Sequence, residues 1–390
     1  MKDLFTGFYR KSEDEIKEFW KDGIIVFDTN VLLNLYRYSD NTRNALLNLI
    51  GKFSKQIYLP YQAAFEYNKN RCEVIAEQEK AYKEFLEKIT QIKKDLQSTN
   101  KPPFLTQDVD KELNSAFIKV NAEVEDSLKK YSQYFRKDPI YDILSKLFKD
   151  RITERYDDEK LSQIFKSGEE RFKLKIPPGF EDEKSKEGNN KYGDLVLWNQ
   201  VIELAKNLNK SVILITDERK SDWWWKIKDG RTMGPRFELV KEMKDEANVG
   251  FHMYSSERFL EYGLNFLEEQ VNKEALDEIS ALKRAEMEEI RRLEIIRRER
   301  ALRNQAIREE VQQIEKQIEE IDYVIDRMDN DLSQYSDRNL AKYYEGEEMD
   351  KELPEHYKIL SEHREHYLRE REQLSMRRKE LRRNYMKNRN

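Results

Sequence analysis

The chain has 390 residues, 38% charged and 38% hydrophobic, with a formal net charge of −5. A single cysteine, Cys72, excludes an intramolecular disulfide and a cysteine-built zinc site, four histidines leave little for imidazole chemistry, and the small net charge excludes a global basic field for nucleic acid. The charged fraction is above the roughly 25% of ordinary globular chains; with 21 Tyr, 18 Phe and 5 Trp to build a core, it points to long solvated helices and not to disorder.

Residues 24–27 (IIVF) form an apolar, β-branched and aromatic run that reads as a buried strand ending at Asp28. After it, VLLNLYRYSDNTRNALLNLIGKF has helical spacing. A second short strand (57–59, IYL) stops at Pro60, and a long helix is expected from Tyr61 into the nineties. Helix LVLWNQVIELAKNLNK leads into a third strand (211–216, SVILIT), and a fourth (249–254, VGFHMY) precedes a short helix from Ser255 or Ser256. Strands alternating with helices imply an α/β fold, a three-layer arrangement with a central parallel sheet. Residues 73–175 interrupt it and read as an all-α insertion, so the α/β part is expected from 1–72 and 176–262. Residues 263–390 are the last region. There, Ile307, Val311, Ile314, Ile318, Ile321, Ile325, Met328 and Leu332 alternate spacings of four and three, a coiled-coil seam about 38 Å long. A second heptad runs through Leu353, Leu360, Tyr367, Leu374 and Leu381. The turn-like DNDLSQYSD and Pro354 between them suggest an antiparallel hairpin. The N-terminus has no apolar signal core, and no stretch approaches the roughly 20 apolar residues of a bilayer span, so a cytoplasmic protein with no membrane partner is expected.

Four acidic residues sit where apolar elements meet polar sequence: Asp28, Glu66, Asp194 and Asp217. Alone, Asp28 reads equally as a helix cap, Asp194 more readily as a cap than as a site residue, Glu66 as a surface charge and Asp217 as a turn residue. Together they read as one site, because ligands of parallel sheets bind at the carboxyl ends of strands, where Asp28 and Asp217 both lie. Converging carboxylates suit a hard divalent cation, and such a cation serves phosphate-ester chemistry.

The segments FDTNVLLNLYRYS, LPYQAAFEYNKNR, PPGFEDEKSKEGNNKYGDLVLW, VILITDERKSDWWWK and GPRFELVKE, in this order, resemble the bacterial PIN-like nuclease group. The resemblance spans about residues 20–262 and leaves out the C-terminal helices. It implies an acidic pocket for Mg²⁺ or Mn²⁺ and metal-dependent cleavage of nucleic acid, usually RNA. Carried over by position, the catalytic and metal-binding set is Asp28, Glu66, Asp194 and Asp217, with Asn30 as a polar helper. Asp217 follows Thr216 directly, where many relatives have a one-residue gap, so Glu218 or Asp222 remains open as the fourth carboxylate.

Arg71, Lys220, Lys226 and Arg236 are the candidate phosphate contacts, Arg236 standing out because it lies in the GPR segment. Trp223, Trp224 and Trp225 read as base-stacking platforms or as core, with core favoured for at least two. The C-terminal helices read as a protein interface, for self-association or a partner, with a basic tail from Arg377 to Arg389 adding affinity for nucleic acid. The leading expectation is a metal-dependent endoribonuclease, held as a stress or phage-defence effector. The alternatives are a phosphatase with Asp28 as nucleophile, disfavoured by Asn30 where that chemistry wants an acid, and a coiled-coil adaptor carrying an inactive nuclease-like domain.

Overall fold

The computed structural model describes residues 1, 5–96, 102–184, 186–345 and 353–387 of the chain. Ser12 opens α1 (Glu13–Asp22) with a reciprocal capping box to Glu15. This helix, absent from the elements expected above, buries Phe19 and Trp20. β1 (Ile24–Phe27) follows with all four side chains buried, as a strand covered on both faces requires. Asp28 caps α2 (Thr29–Asn34) and Ser39 caps α3 (Asp40–Lys52), so the stretch after β1 is two helices. β2 (Ile57–Tyr58) leads to α4 (Tyr61–Leu96). Three further helices follow: α5 (Gln107–Tyr134), α6 (Pro139–Leu147) and α7 (Asp158–Lys173). α8 (Gly193–Leu208) then enters β3 (Val212–Ile215), buried throughout like β1.

A hairpin of β4 (Trp224–Lys226) and β5 (Thr232–Pro235) comes next, antiparallel and separate from the main sheet. After it come α9 (Phe237–Ala247), β6 (Phe251–Tyr254), α10 (Ser256–Phe266), α11 (Lys273–Glu345) and α12 (Leu353–Lys387).

The sheet order is β2-β1-β3-β6 and every pairing is parallel. Residues 24–27 pair in register with 212–215, and 212–215 with 251–254. The chain leaves β1 toward β2 on one side and returns to β3 on the other. The connections after β1 and β3 therefore part at their carboxyl ends, the place where open α/β sheets bind ligands. Trp20 fixes one face of this core, its ring stacked on Tyr254, Phe259 and Phe266 at 5.7, 5.9 and 6.0 Å.

The chain divides into two units, Met1–Lys283 and Arg284–Asn390. In the first, the opening turns of α11 bury Ala275 and Ile279, and Glu278 accepts hydrogen bonds from Ser39 and Thr42. Between α6 and α7, Ile152 forms a parallel bridge with Leu59 beside β2, and the helical segment after α4 packs on the rest of the unit. It is fastened by Asp138, whose Oδ2 accepts from Tyr36 Oη and Arg71 Nη1, both at 2.6 Å. Its Oδ1 caps α6 through the N–H groups of Ile140 and Tyr141.

In the second unit, Ile314, Ile318 and Leu381 form a buried cluster flanked by Ile307, Val311 and Leu374. The cross-helix pairs Arg364–Asp329, Arg371–Asp322 and Arg382–Glu315 run in opposite senses along the two helices. That is the antiparallel hairpin expected from the heptads. DNDLSQYSD is helical, because α11 runs through it to Glu345; Gly346, the side chains of Leu353 and Pro354, and Arg389 lie outside the described residues. Arg377, Arg378 and Arg382 of the basic tail face Glu310 and Glu315 of α11.

Replacing Asp138 by Ala leaves the Arg71 guanidinium and the Tyr36 hydroxyl without their shared acceptor. The expected loss is about 3 kcal/mol of unfolding free energy, read from urea denaturation; a loss below about 0.5 kcal/mol would show that the insertion is held by other contacts.

Candidate active site

Asp28 ends β1 with its carboxylate fully engaged. Oδ1 accepts from the Thr29 N–H at 2.7 Å, and Oδ2 accepts from Asn30 Nδ2 and Thr216 Oγ1, both at 2.7 Å. Asn30 also accepts from the Asp217 N–H through Oδ1 at 3.0 Å, so one amide clasps the ends of β1 and β3. Burial pushes the Asp28 carboxyl up to about 7; the Thr216 hydrogen bond works against this, and the charges of Asp194, Glu66 and Glu218 reinforce it.

Glu66 projects from α4 with Oε1 on Gln62 Nε2 (2.7 Å) and Oε2 on Thr29 Oγ1 (3.3 Å). Asp194 lies in the first turn of α8, where Gly193 lets the helix approach α4. A Cβ at Gly193 would stand 2.9 Å from Glu66 Oε1, which accounts for glycine before this aspartate. Burial raises the Asp194 pKa; Lys220 and Lys186 oppose the rise, while Asp182 and Glu218 add to it. Trp223 Nε1 donates to Asp194 Oδ2 at 3.2 Å.

Asp217 is directed elsewhere. Its oxygens accept from the Ser256 N–H (3.0 Å), Ser256 Oγ (2.6 Å) and Asn34 Nδ2 (3.1 Å), and Lys283 Nζ lies 2.9 Å away. Burial alone would raise its pKa, but Lys283 and Ser256 outweigh that and hold it below the usual carboxylate value. It ties α2, α10 and the start of α11 to the end of β3. Glu218, the next residue, joins the field around Asp28. Asp222 is fully buried and holds the PPGF loop, its Oδ2 accepting from the N–H groups of Gly179 (2.8 Å) and Glu181 (3.2 Å). Gly179, at φ +91°, packs that loop against the Cβ of Asp194.

The four cations expected to hold phosphate are engaged within the protein. Arg71 pairs with Asp138 and lies over the Tyr141 ring at 4.5 Å. Arg236 pairs with Glu238 and donates to the Ser221 carbonyl. Lys226 donates to the Arg219 carbonyl at 2.5 Å. Lys220 points inward, 2.7 Å from Asp182, 3.2 Å from Glu218 and 3.6 Å from Asp194. Burial disfavours its charge, yet Asp194, Glu218 and Asp182 hold its pKa well above the usual lysine value. Trp223 is buried, Trp224 donates to the Glu218 carbonyl, and Trp225 meets Phe8 and Phe237 edge-on. Sequence reasoning did not single out Thr216, Asp182 or Lys186. The threonine before Asp217 and the acidic run after PPGF were the available signals.

Among the described residues, no three His, Cys, Asp or Glu side chains close into a ready-made metal cage. The donor chemistry nevertheless fits a hard divalent ion. Every donor is a carboxylate oxygen, Asp28 and Glu66 have no Lys or Arg partner among the described residues, and Mg²⁺ retains waters and needs only one or two carboxylates plus phosphate.

A family model described as a PIN like domain matches residues 24–239, more than half of the chain. The chain belongs to this PIN-like family, whose domains are generally nucleases. Comparisons with curated proteins and with solved structures returned no match. No described helix is long and apolar enough to cross a membrane.

The Asp28 pKa gives a signed pH dependence. Its folded value of about 7 exceeds the ordinary 3.8, so the folded chain binds more protons than the unfolded chain between those values. The stability contributed by the protonated acid is complete below pH 3.8 and is lost as pH rises through 7. With chelator present, Asp28→Asn is expected to melt above the wild type at pH 8, with the gap shrinking steadily toward pH 4. A gap that is constant with pH would contradict the burial of this charge.

Proposed function

We propose that the chain is a metal-dependent endonuclease in which Asp28 and Asp194 bind Mg²⁺ or Mn²⁺ and Glu66 and Glu218 complete the shell or orient the attacking water. The observation that carries this reading is the shared field of Asp28, Glu66, Asp194 and Glu218 at the point where the β1 and β3 connections part. Glu218 takes the place given to Asp217 by position, because Asp217 is consumed by Ser256, Asn34 and Lys283. When bound, the ion lowers the pKa of a coordinated water and neutralises charge on the phosphate.

The protein's part is positioning. Thr216 and Asn30 fix the Asp28 carboxylate, Gln62 and Thr29 fix Glu66, and Trp223 orients Asp194. A water oxygen attacks phosphorus in line as the bond to the 3′ oxygen breaks, giving a 5′-phosphate and a 3′-hydroxyl. The family membership supports RNA ahead of DNA, and the attached helical hairpin supports an effector role in stress or phage defence. The test is cleavage of labelled RNA, single-stranded DNA and duplex DNA with Mn²⁺ or with chelator. Manganese-dependent cleavage, strongest on RNA, is expected, and no cleavage of any substrate would remove the proposal. Asp28→Asn and Asp194→Asn are each expected to lower kcat by on the order of a hundredfold or more. Asp217→Asn should lower Tm and leave kcat within about tenfold; a larger kcat loss in that variant would return Asp217 to the site.

A further inference from the structure

Lys220 is built into the acidic pocket from three directions. Its ammonium meets Asp182 of the PPGF loop, Asp194 of α8 and Glu218 after β3 at 2.7, 3.6 and 3.2 Å. Its backbone is fixed as well. The Lys220 N–H donates to Glu218 Oε1 at 3.1 Å, and the Lys220 carbonyl accepts from the N–H groups of Trp223 and Trp224 at 3.2 Å each. Asp182 is nearly inaccessible, with only 2% of its side chain exposed. This is therefore a lysine held in place and not a surface charge that happens to fold inward.

Among the described residues, Lys220 meets Asp182, Asp194 and Glu218 together, Lys186 pairs with Asp182 from the other side and also acts on Asp194, and neither Asp28 nor Glu66 has a Lys or Arg partner. In sites that use two ions, one ion activates water and the other steadies charge on the departing oxygen. An ammonium is a compact point charge able to serve phosphate in the second way.

Resting on the nuclease reading above, we propose that Lys220 is a permanent second cation of this site, so that the carboxylates take up one divalent ion per chain and not two. Lys220 thereby limits the affinity for that ion through like-charge repulsion across Asp194.

Calorimetric titration of the full chain with Mn²⁺, without nucleic acid, tests this. The wild type is expected to bind one ion. Lys220→Gln is expected to bind Mn²⁺ about tenfold more tightly or to admit a second ion, and Lys220→Arg, which keeps the charge, should stay within about threefold of the wild type. Two ions per wild-type chain, equal or weaker binding by Lys220→Gln, or a tenfold gain in Lys220→Arg would each overturn the inference. If Lys220→Gln does not fold, the wild-type stoichiometry and the arginine variant still decide. Asp28→Asn separates the two levels. Unaltered Mn²⁺ binding by that variant contradicts the metal site itself, whereas lost binding there with an unresponsive Lys220→Gln removes the role of Lys220 alone.

Discussion

Repulsion between carboxylates crowded at one end of the sheet is the constraint on which the structure of this site depends. Asp28, Glu66, Asp194 and Glu218 arrive from the end of β1, from α4, from the first turn of α8 and from the loop after β3, and the other three all raise the pKa of Asp28. Such an arrangement is unfavourable by itself, so the scaffold must hold it. The in-register pairing of β1 with β3 brings Thr216 beside Asp28, and Asn30 closes the junction by bonding to both strand ends. On the other flank, Gly193 leaves room for the Glu66 carboxylate against α8, since a Cβ there would stand 2.9 Å from Oε1 and push it aside.

The surrounding acids show how neighbouring carboxylates take different roles. Asp217 and Asp222 are both buried, yet each is committed to structure. Asp217 secures α10 and the beginning of α11 through Ser256 and Lys283. Asp222 anchors the PPGF loop, which in turn packs beneath Asp194. Asp217 is satisfied on both oxygens, as a rigid buried network requires, whereas Asp222 bonds through Oδ2 alone and its Oδ1 is buried without a hydrogen-bond partner among the described residues. The same logic operates farther away, where Asp138 joins the helical insertion to α4 through Arg71 and to Tyr36.

Much of this was legible in the sequence because the strands are uniform apolar runs. IIVF and VILI announce buried strands, and an acid or polar residue directly after such a run lands at the carboxyl rim. Glu66 and Asp194 were legible through the family resemblance, since nothing in helical spacing alone separates Glu66 from a surface charge. The choice between Asp217 and Glu218 was not legible. The two are adjacent in a loop, and which one turns to the pocket is set by Ser256 and Lys283, 39 and 66 residues downstream. Arg71, read as a phosphate contact in the sequence, pairs in the fold with Asp138, 67 residues downstream, while Lys226 and Arg236 meet the nearby Arg219 carbonyl and Glu238. The WWW run concealed a β-hairpin because three tryptophans carry no alternation. DNDLSQYSD resembles a turn by composition, but a helix already running through the Ile307–Leu332 seam carries it along.

A crystal of the full chain soaked in manganese, with anomalous diffraction recorded at the metal edge, tests the central claim most directly. A single anomalous peak coordinated by Asp28 and Asp194, with Lys220 Nζ still among Asp182 and Glu218, is the predicted result. Absence of a peak between Asp28 and Asp194 at saturating manganese, with the two carboxylates turned to separate surfaces, would contradict it.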